Sequence, residues 1–476
     1  MNVARLASLD TSALAETFAA RVTSHKTPGS YFALFTRDDV VAEGGFGSQK
    51  LMGRAPDRGT VFRIASCTKS FTAATLLILR DQGALDLDTP ITRFVPEFLS
   101  TSPISSPIAP TVRMLMTMSG GLPSDDPWGD RQESLTTDQF LGVLRTGVQF
   151  VSVPGTAYEY SNLGYAMLGL VIEALSGRPY ARAVKELLLD PLGLDNTAFE
   201  AGFFNADQLA IGCRRSGDEW CELPFSSPGA FSPIGGLFTT ASDLMRWSRW
   251  LASALDVDNT ESGPLSAASR REMQQISRAF PHERGTEAPS GYGYGLMVEA
   301  DPLWGHTAFH SGGYPGFSTH MRWNAPSGFG IVAFENATYS CVAEPAASAL
   351  RTVLEQLGKP NLAPTLWPAT VELQAKADAL IRHWQDGRAG DIFADNVGLD
   401  VPLAERTEAI TSAIAELGGL THRITSATLE LSDSPAHAVW HIPALRGRLR
   451  CEIRLAPTLP ARIQTIKVSA ELEVAP

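Results

Sequence analysis

The run from Phe71 to Leu79 holds no charge, and every residue in it is apolar or small. Lys69 is the last charge before it and Arg80 the next after it. A helix that is apolar nearly all round has no face to give to water, so it must lie inside a core thick enough to surround it. The helix starts near Ser66, and Gln82-Gly83 ends it. At 476 residues the chain is long enough for such a core and for a second domain besides.

The remaining pattern predicts a mixed fold. Leu14, Phe18 and Val22 recur at helical spacing between about residues 10 and 26. Tyr31 to Phe35 and Val40 to Gly45 read as a hairpin turned by Arg37-Asp38-Asp39. Helices are expected over 166–175 and 240–254, and strands over 294–299, 307–310, 318–323 and 329–334. Strands at both ends of the segment with helices between define an α/β (α+β) assembly, its antiparallel sheet flanked by helices and joining distant parts of the chain. From Lys359 to Pro368 the composition breaks, and three prolines within nine residues make a stiff linker. The expected organisation is therefore a large domain over 1–359, a linker over 360–369 and a small helix-and-antiparallel-sheet domain over 370–476. The last has helices at 373–385 and 403–417 and a meander from about 424 to 474.

A formal net charge of −12 with no dense basic stripe argues against a nucleic-acid partner. The first ten residues do not read as a signal peptide, and the apolar stretch at Leu76 to Leu79 is too short to cross a bilayer. Five cysteines, an odd number, without such a signal favour reduced thiols in a cytoplasm. No metal-ligand spacing is present, and no metal is expected.

Three short segments carry chemistry. In Ile64-Ala65-Ser66-Cys67-Thr68-Lys69, Lys69 falls one helical turn after Ser66 on the same face. The helix N-terminus adds partial positive charge where an alkoxide would form. A lysine at the mouth of so apolar a helix is desolvated, which suits a proton shuttle. In Tyr158-Glu159-Tyr160-Ser161-Asn162, a phenol and an amide two residues apart on a bend can face one cleft, or can form an ordinary surface turn. In His310-Ser311-Gly312-Gly313, a strand ends in glycines that let a substrate approach the backbone, or that simply turn the chain. There is no Gly-x-Ser-x-Gly elbow, zinc helix or P-loop. Gly291-Tyr292-Gly293-Tyr294-Gly295 has the wrong spacing for a dinucleotide loop.

In this order and at these separations the three segments resemble the penicillin-recognising serine hydrolases, and more narrowly the class C β-lactamase, D-aminopeptidase and esterase branch. That family's pattern is Ser-x-x-Lys, then Tyr-x-Asn, then a strand bearing Lys-Thr-Gly or His-x-Gly. Residues 114–123 and 235–244 are similar to its connecting segments, and the resemblance covers about residues 10 to 355. It implies a serine β-lactamase/transpeptidase-like domain that cleaves an ester or amide through an acyl-enzyme, without a cofactor, on a small-molecule or short-peptide substrate. Ser66 matches the nucleophile, Lys69 its proton partner and Tyr160 the general base that later protonates the leaving group. Asn162 matches the residue that holds the substrate carbonyl side and the lysine. The backbone N–H groups of Ser66 and Gly313 match the oxyanion hole, with Gly312 beside the substrate. Chemistry agrees to this extent: a serine needs an adjacent base, and a tyrosine becomes one where a cation such as Lys69 lowers its pKa.

The chain departs from the β-lactamase pattern at His310, where those enzymes carry a lysine. A mostly neutral histidine puts strong β-lactam turnover in doubt and favours the esterase and D-aminopeptidase members. An acyl-adduct sensor, a weak β-lactamase and an acyltransferase to a non-water acceptor are the alternative readings. In the family the loop holding Ser124 to Arg131 borders the site, so Asp125 or Asp126 is expected either to attract a cationic substrate group or to form a solvated turn. Cys67, His306 and His320 are expected to be structural. The C-terminal domain faintly resembles a cystatin-like cone, and is expected to lid the cleft or to form a homo-oligomer.

Overall fold

A computed structural model describes residues 9–98, 109–256, 262–281, 288–360, 362, 364–421 and 432–472. The chain divides into two compact units, Met1–Pro360 and Asn361–Pro476.

The larger unit is built on an antiparallel sheet of eight strands: β1 (Gly29–Phe35), β2 (Val40–Gly47), β3 (Arg278–Ala279), β4 (Ser290–Tyr292), β5 (Met297–Asp301), β6 (Gly305–Tyr314), β7 (Phe317–Asn324) and β8 (Phe329–Glu335). Their order is β2-β1-β8-β7-β6-β5-β4-β3, so the N-terminal hairpin pairs with the last strand, Ser30 opposite Glu335. Because successive side chains alternate across a strand, each strand feeds two cores. On one face Phe32, Leu34 and Ile331 pack against helices α1 (Ser12–Thr23) and α5 (Ala343–Leu357), through Leu14, Phe18 and Val353. Asp10 and Gln356, just outside α1 and inside the end of α5, exchange hydrogen bonds of 2.9 and 3.1 Å.

The other face packs against the helical half of the unit, and α2 (Thr68–Asp81) runs through its middle. Every residue from Thr68 to Leu79 is buried, as an all-round apolar helix requires. Trp247 of α4 (Ala241–Ser253) stacks on Phe71 with ring centroids 4.1 Å apart. Helix α3 (Asn162–Ser176) begins four residues before the predicted start, and β5 begins three residues after it. The turn that delays β5 contains Gly295 at φ +68°, where a Cβ would come within 2.5 Å of the Lys69 carbonyl.

In the smaller unit, helices α6 (Pro368–Arg382) and α7 (Leu403–Glu416) accompany a meander of β9 (His437–Ala444), β10 (Gly447–Leu455) and β11 (Ile463–Leu472). Trp440, Leu449 and Ile453 meet Leu373, Leu380 and Ile381 in a separate core. The start of the meander expected at 424–431 lies outside the described residues. Helix α6 begins earlier than predicted, at Pro368, a residue suited to the first helical position because its missing N–H would be unpaired there anyway.

All five cysteines are free. Cys213 and Cys221 lie on paired short strands but oppose Glu222 and Arg214, not each other.

Candidate active site

Strand Val61–Arg63 leads into a tight turn, Ala65–Cys67, from which α2 departs. Ala65 sits in the left-handed region at φ +49°, a strained conformation for a residue with a Cβ, and it sets Ser66 at the head of the helix. Gly312 of β6 packs on this turn, where a Cβ would collide with the Ile64 carbonyl. Sheet and serine turn are thus locked by a missing methyl.

Ser66 is 6% exposed. Its hydroxyl accepts a hydrogen bond from Lys69 Nζ at 2.9 Å. Lys69 has no solvent exposure, and its second acceptor is the Ile234 carbonyl at 2.9 Å. Burial lowers the Lys69 pKa to about 8, offset in part by the charges of Asp126, Asp130 and Asp125. The expectation that Lys69 lowers the tyrosine pKa is not met. Burial, reinforced by the charge of Asp126, pushes Tyr160 well above 10. Nζ lies 4.9 Å from the centroid of the Tyr160 ring, a cation–π placement.

His310 joins the same cluster, its ring centroid 6.4 Å from that of Tyr160. Its Nδ1 lies 2.7 Å from the Ser311 carbonyl, which can only accept, so Nδ1 carries the proton. Nε2 then accepts from the Tyr292 hydroxyl at 3.0 Å. Burial and the Lys69 charge push the imidazole down to about 3, so His310 is neutral with both nitrogens engaged. Tyr292 was missed in the sequence, where its glycine-rich segment drew notice only as a false dinucleotide loop.

Asn162 is brought into the cluster but does not reach the lysine by any described hydrogen bond. Its Nδ2 donates to Asp126 Oδ1, and its Oδ1 is buried without a partner among the described residues. Gly129 packs so closely that a Cβ would stand 2.6 Å from that of Asn162. Asp125 corrects the expectation of a cation receptor. Its two oxygens accept the backbone N–H groups of Asn162 and Leu163 at 2.6 and 2.7 Å, so it caps α3. Asp126 is the exposed carboxylate of the pair.

A further bridge was not foreseen. Tyr339 packs against Gly313, where a Cβ would meet the ring at 2.8 Å, and its hydroxyl donates to Asp130 Oδ2 at 2.9 Å. Burial, with Asp126 nearby, raises Asp130 to about 7. The remaining candidates are structural in their contacts. Cys67 packs beneath His310 with Sγ 3.4 Å from its carbonyl oxygen, and His320 is buried against Ser311 Oγ at 3.0 Å. Among the described residues no helix is long and apolar enough to cross a membrane.

Comparisons with known proteins bear on the fold and the family. Protein flp of Staphylococcus aureus (strain COL) is 27% identical over 315 residues, which cover 65% of this chain and 59% of that protein's length. An octameric penicillin-binding protein homologue from Pyrococcus abyssi shares the fold with a TM-score of 0.64 at 19% identity, covering 96% of this chain and 100% of that one. EstCE1, a hydrolase with promiscuous acyltransferase activity, follows at TM-score 0.61 and 21% identity, covering 74% and 98%. The family model described as Beta-lactamase matches residues 14–354, a span that contains Ser66, Lys69, Tyr160 and His310 alike, and the chain belongs to that family.

Proposed function

We propose that the protein hydrolyses an ester or amide bond through an acyl-enzyme on Ser66. The observation that carries this reading is the Ser66 hydroxyl bonded to a fully buried amine 2.9 Å away, an amine that also lies 4.9 Å from the centroid of the Tyr160 ring. With a pKa of about 8, Lys69 is neutral in about a tenth of molecules at pH 7. The neutral amine takes the Ser66 proton as Oγ bonds to the substrate carbonyl carbon. The carbonyl oxygen becomes an oxyanion received by the backbone N–H groups of Ser66 and Gly313. Tyr160, a neutral phenol, gives its proton to the leaving group as the scissile bond breaks, and regains one from Lys69. Water then attacks the acyl-enzyme by the reverse relay.

Neutral and buried, with both ring nitrogens engaged, His310 gives the substrate side no charge, which supports esterase or D-aminopeptidase chemistry over β-lactamase chemistry. A free amine on the substrate would meet exposed Asp126 rather than Asp125. Equal KM values for amine-bearing and acetylated substrates would remove that role.

The test is turnover of p-nitrophenyl butyrate, D-alanine p-nitroanilide and nitrocefin by the wild type beside Ser66→Ala, with intact mass followed in parallel. Loss of turnover in the variant, and an acyl mass on the wild type alone, are expected. Identical behaviour of the two proteins would sink the reading. Acyl transfer is the second reading, since EstCE1 combines it with hydrolysis; adding an alcohol acceptor and looking for the exchanged ester decides it. The Pyrococcus homologue is octameric, and light scattering on the full chain tests for assembly here.

A further inference from the structure

A cavity of 240 Å³ lies between β5, β6, β7 and helix α5. Thr307 lines it from β6, and because side chains alternate along a strand, Thr307 and His310 belong to opposite faces. The cavity is therefore on the reverse of the strand that serves the active site. Its volume equals that of about eight water molecules, the scale of a small metabolite.

The lining is divided by chemistry. Leu350, Leu354 and Trp304 make one side apolar, while Arg322, Thr307 and Ser348 supply donors to the other. Arg322 is only 11% exposed, and its guanidinium rests 4.4 Å from the centroid of the Phe309 ring. A guanidinium has five N–H donors. Among the described residues Glu299 alone accepts from this one. Thr307 already accepts from Asn324 Nδ2 at 3.0 Å, so its own proton is left to give. Arg351 stands 3.7 Å from Asp301, beyond hydrogen-bond reach, and Asp301 Oδ1 is occupied by the backbone N–H groups of Leu303 and Trp304. Donors exceed acceptors here, beside a nearly buried cation. Burial holds Arg322 below its ordinary pKa, the mark of a charge short of solvation.

We propose that this cavity binds a small monocarboxylate with a short hydrocarbon tail, the carboxylate on Arg322 and the tail against Leu350 and Leu354. Glu299 and Asp301 balance Arg322 and Arg351 at this cavity, so each further negative charge on a ligand is unpaired, and the phosphate dianion is disfavoured more than a monocarboxylate. Esters and amides release a carboxylic acid on hydrolysis, so the ligand has the chemistry of the enzyme's own product. That last identification rests on the proposed hydrolysis; the carboxylate site does not.

Butyrate binding followed by ligand-observed NMR on wild type, Ser66→Ala, Ala347→Met and Arg322→Gln tests the site, with inorganic phosphate as the comparison anion. Ala347 lines the cavity from α5, and a methionine there fills it without touching Ser66 or its partners. Wild type and Ser66→Ala are expected to bind butyrate equally, and both cavity variants at least ten-fold more weakly. Ala347→Met should keep wild-type melting and turnover, which covers the case in which Arg322→Gln fails to fold. Absence of butyrate binding to the wild type, undiminished binding to Ala347→Met, or phosphate binding as tightly as butyrate would each overturn the proposal. Loss in Ser66→Ala with retention in Ala347→Met would place the carboxylate in the catalytic cleft, and would also overturn it. Failure of the wild type to turn over any ester or amide would remove the product identification and leave the butyrate result to stand by itself.

Discussion

Two acceptors hold a lysine ammonium that has lost all contact with water: the Ser66 hydroxyl and the Ile234 carbonyl. Burial disfavours the charged form, and the active form in the proposed relay is the neutral amine. Activity therefore rises with pH. We expect kcat/KM to climb to a plateau with an apparent pKa near 8, whereas a carboxylate base would already be level by pH 6. The same shift affects stability. Between the folded value near 8 and the ordinary 10.5, the unfolded chain binds more protons than the folded one, so stability increases with pH across that window. Lys69→Met should abolish the rise in both profiles and reduce turnover by about 10²–10⁴-fold. Its melting temperature at pH 7 should be unchanged or higher, because a buried charge has gone. Tyr292→Phe leaves the buried Nε2 of His310 without its donor. A cost of about 1–3 kcal/mol in chemical denaturation is expected, with a fall in kcat larger than any rise in KM.

At the level of elements, what each helix needs decided how much of it could be read in advance. Helix α2 was legible because its requirement is local: consecutive residues that all avoid water. The start of α3 was missed although Ser161 is a local N-cap that accepts from the Gly164 N–H at 3.3 Å; only the N–H groups of Asn162 and Leu163 depend on a distant partner, Asp125, 37 residues upstream of Asn162. Asp125→Ala should cost about 1–2 kcal/mol of stability. If the carboxylate acts as a cap, the KM ratio between amine-bearing and acetylated substrates stays where it was. Strand β6 was read as far as His310, and its continuation through Gly312 and Gly313 was hidden by glycines that usually signal a turn. They remain in the strand because the Ser66 turn and Tyr339 occupy the space of their side chains. Ser66, Lys69 and Tyr160 were singled out because the order and spacing of their motifs resemble the family's, and the fold brings them together. Tyr292, Asp130 and Tyr339 were not singled out, since each touches the cluster through a partner that only the fold brings near.

At the scale of the whole molecule, each unit has its own apolar core, and the Pro-rich segment from Pro360 lies between them in sequence. Calorimetry of the full chain should therefore show two unfolding transitions, and a fragment ending at Pro360 should retain the larger one. A single transition lost altogether in the fragment would contradict independent cores. Within the larger unit, β1 pairs with β8 and Asp10 is hydrogen-bonded to Gln356, so the chain comes back to where it started. A short peptide could join those ends, and a new opening could be cut at the exposed turn beside Gly217. The permuted chain would read His310-Ser311-Gly312 first, then Ser66 and Lys69, then Tyr160, yet would assemble the same cluster. The order of motifs that makes this site recognisable along the sequence is thus a record of ancestry, and the geometry that would do the chemistry does not depend on it.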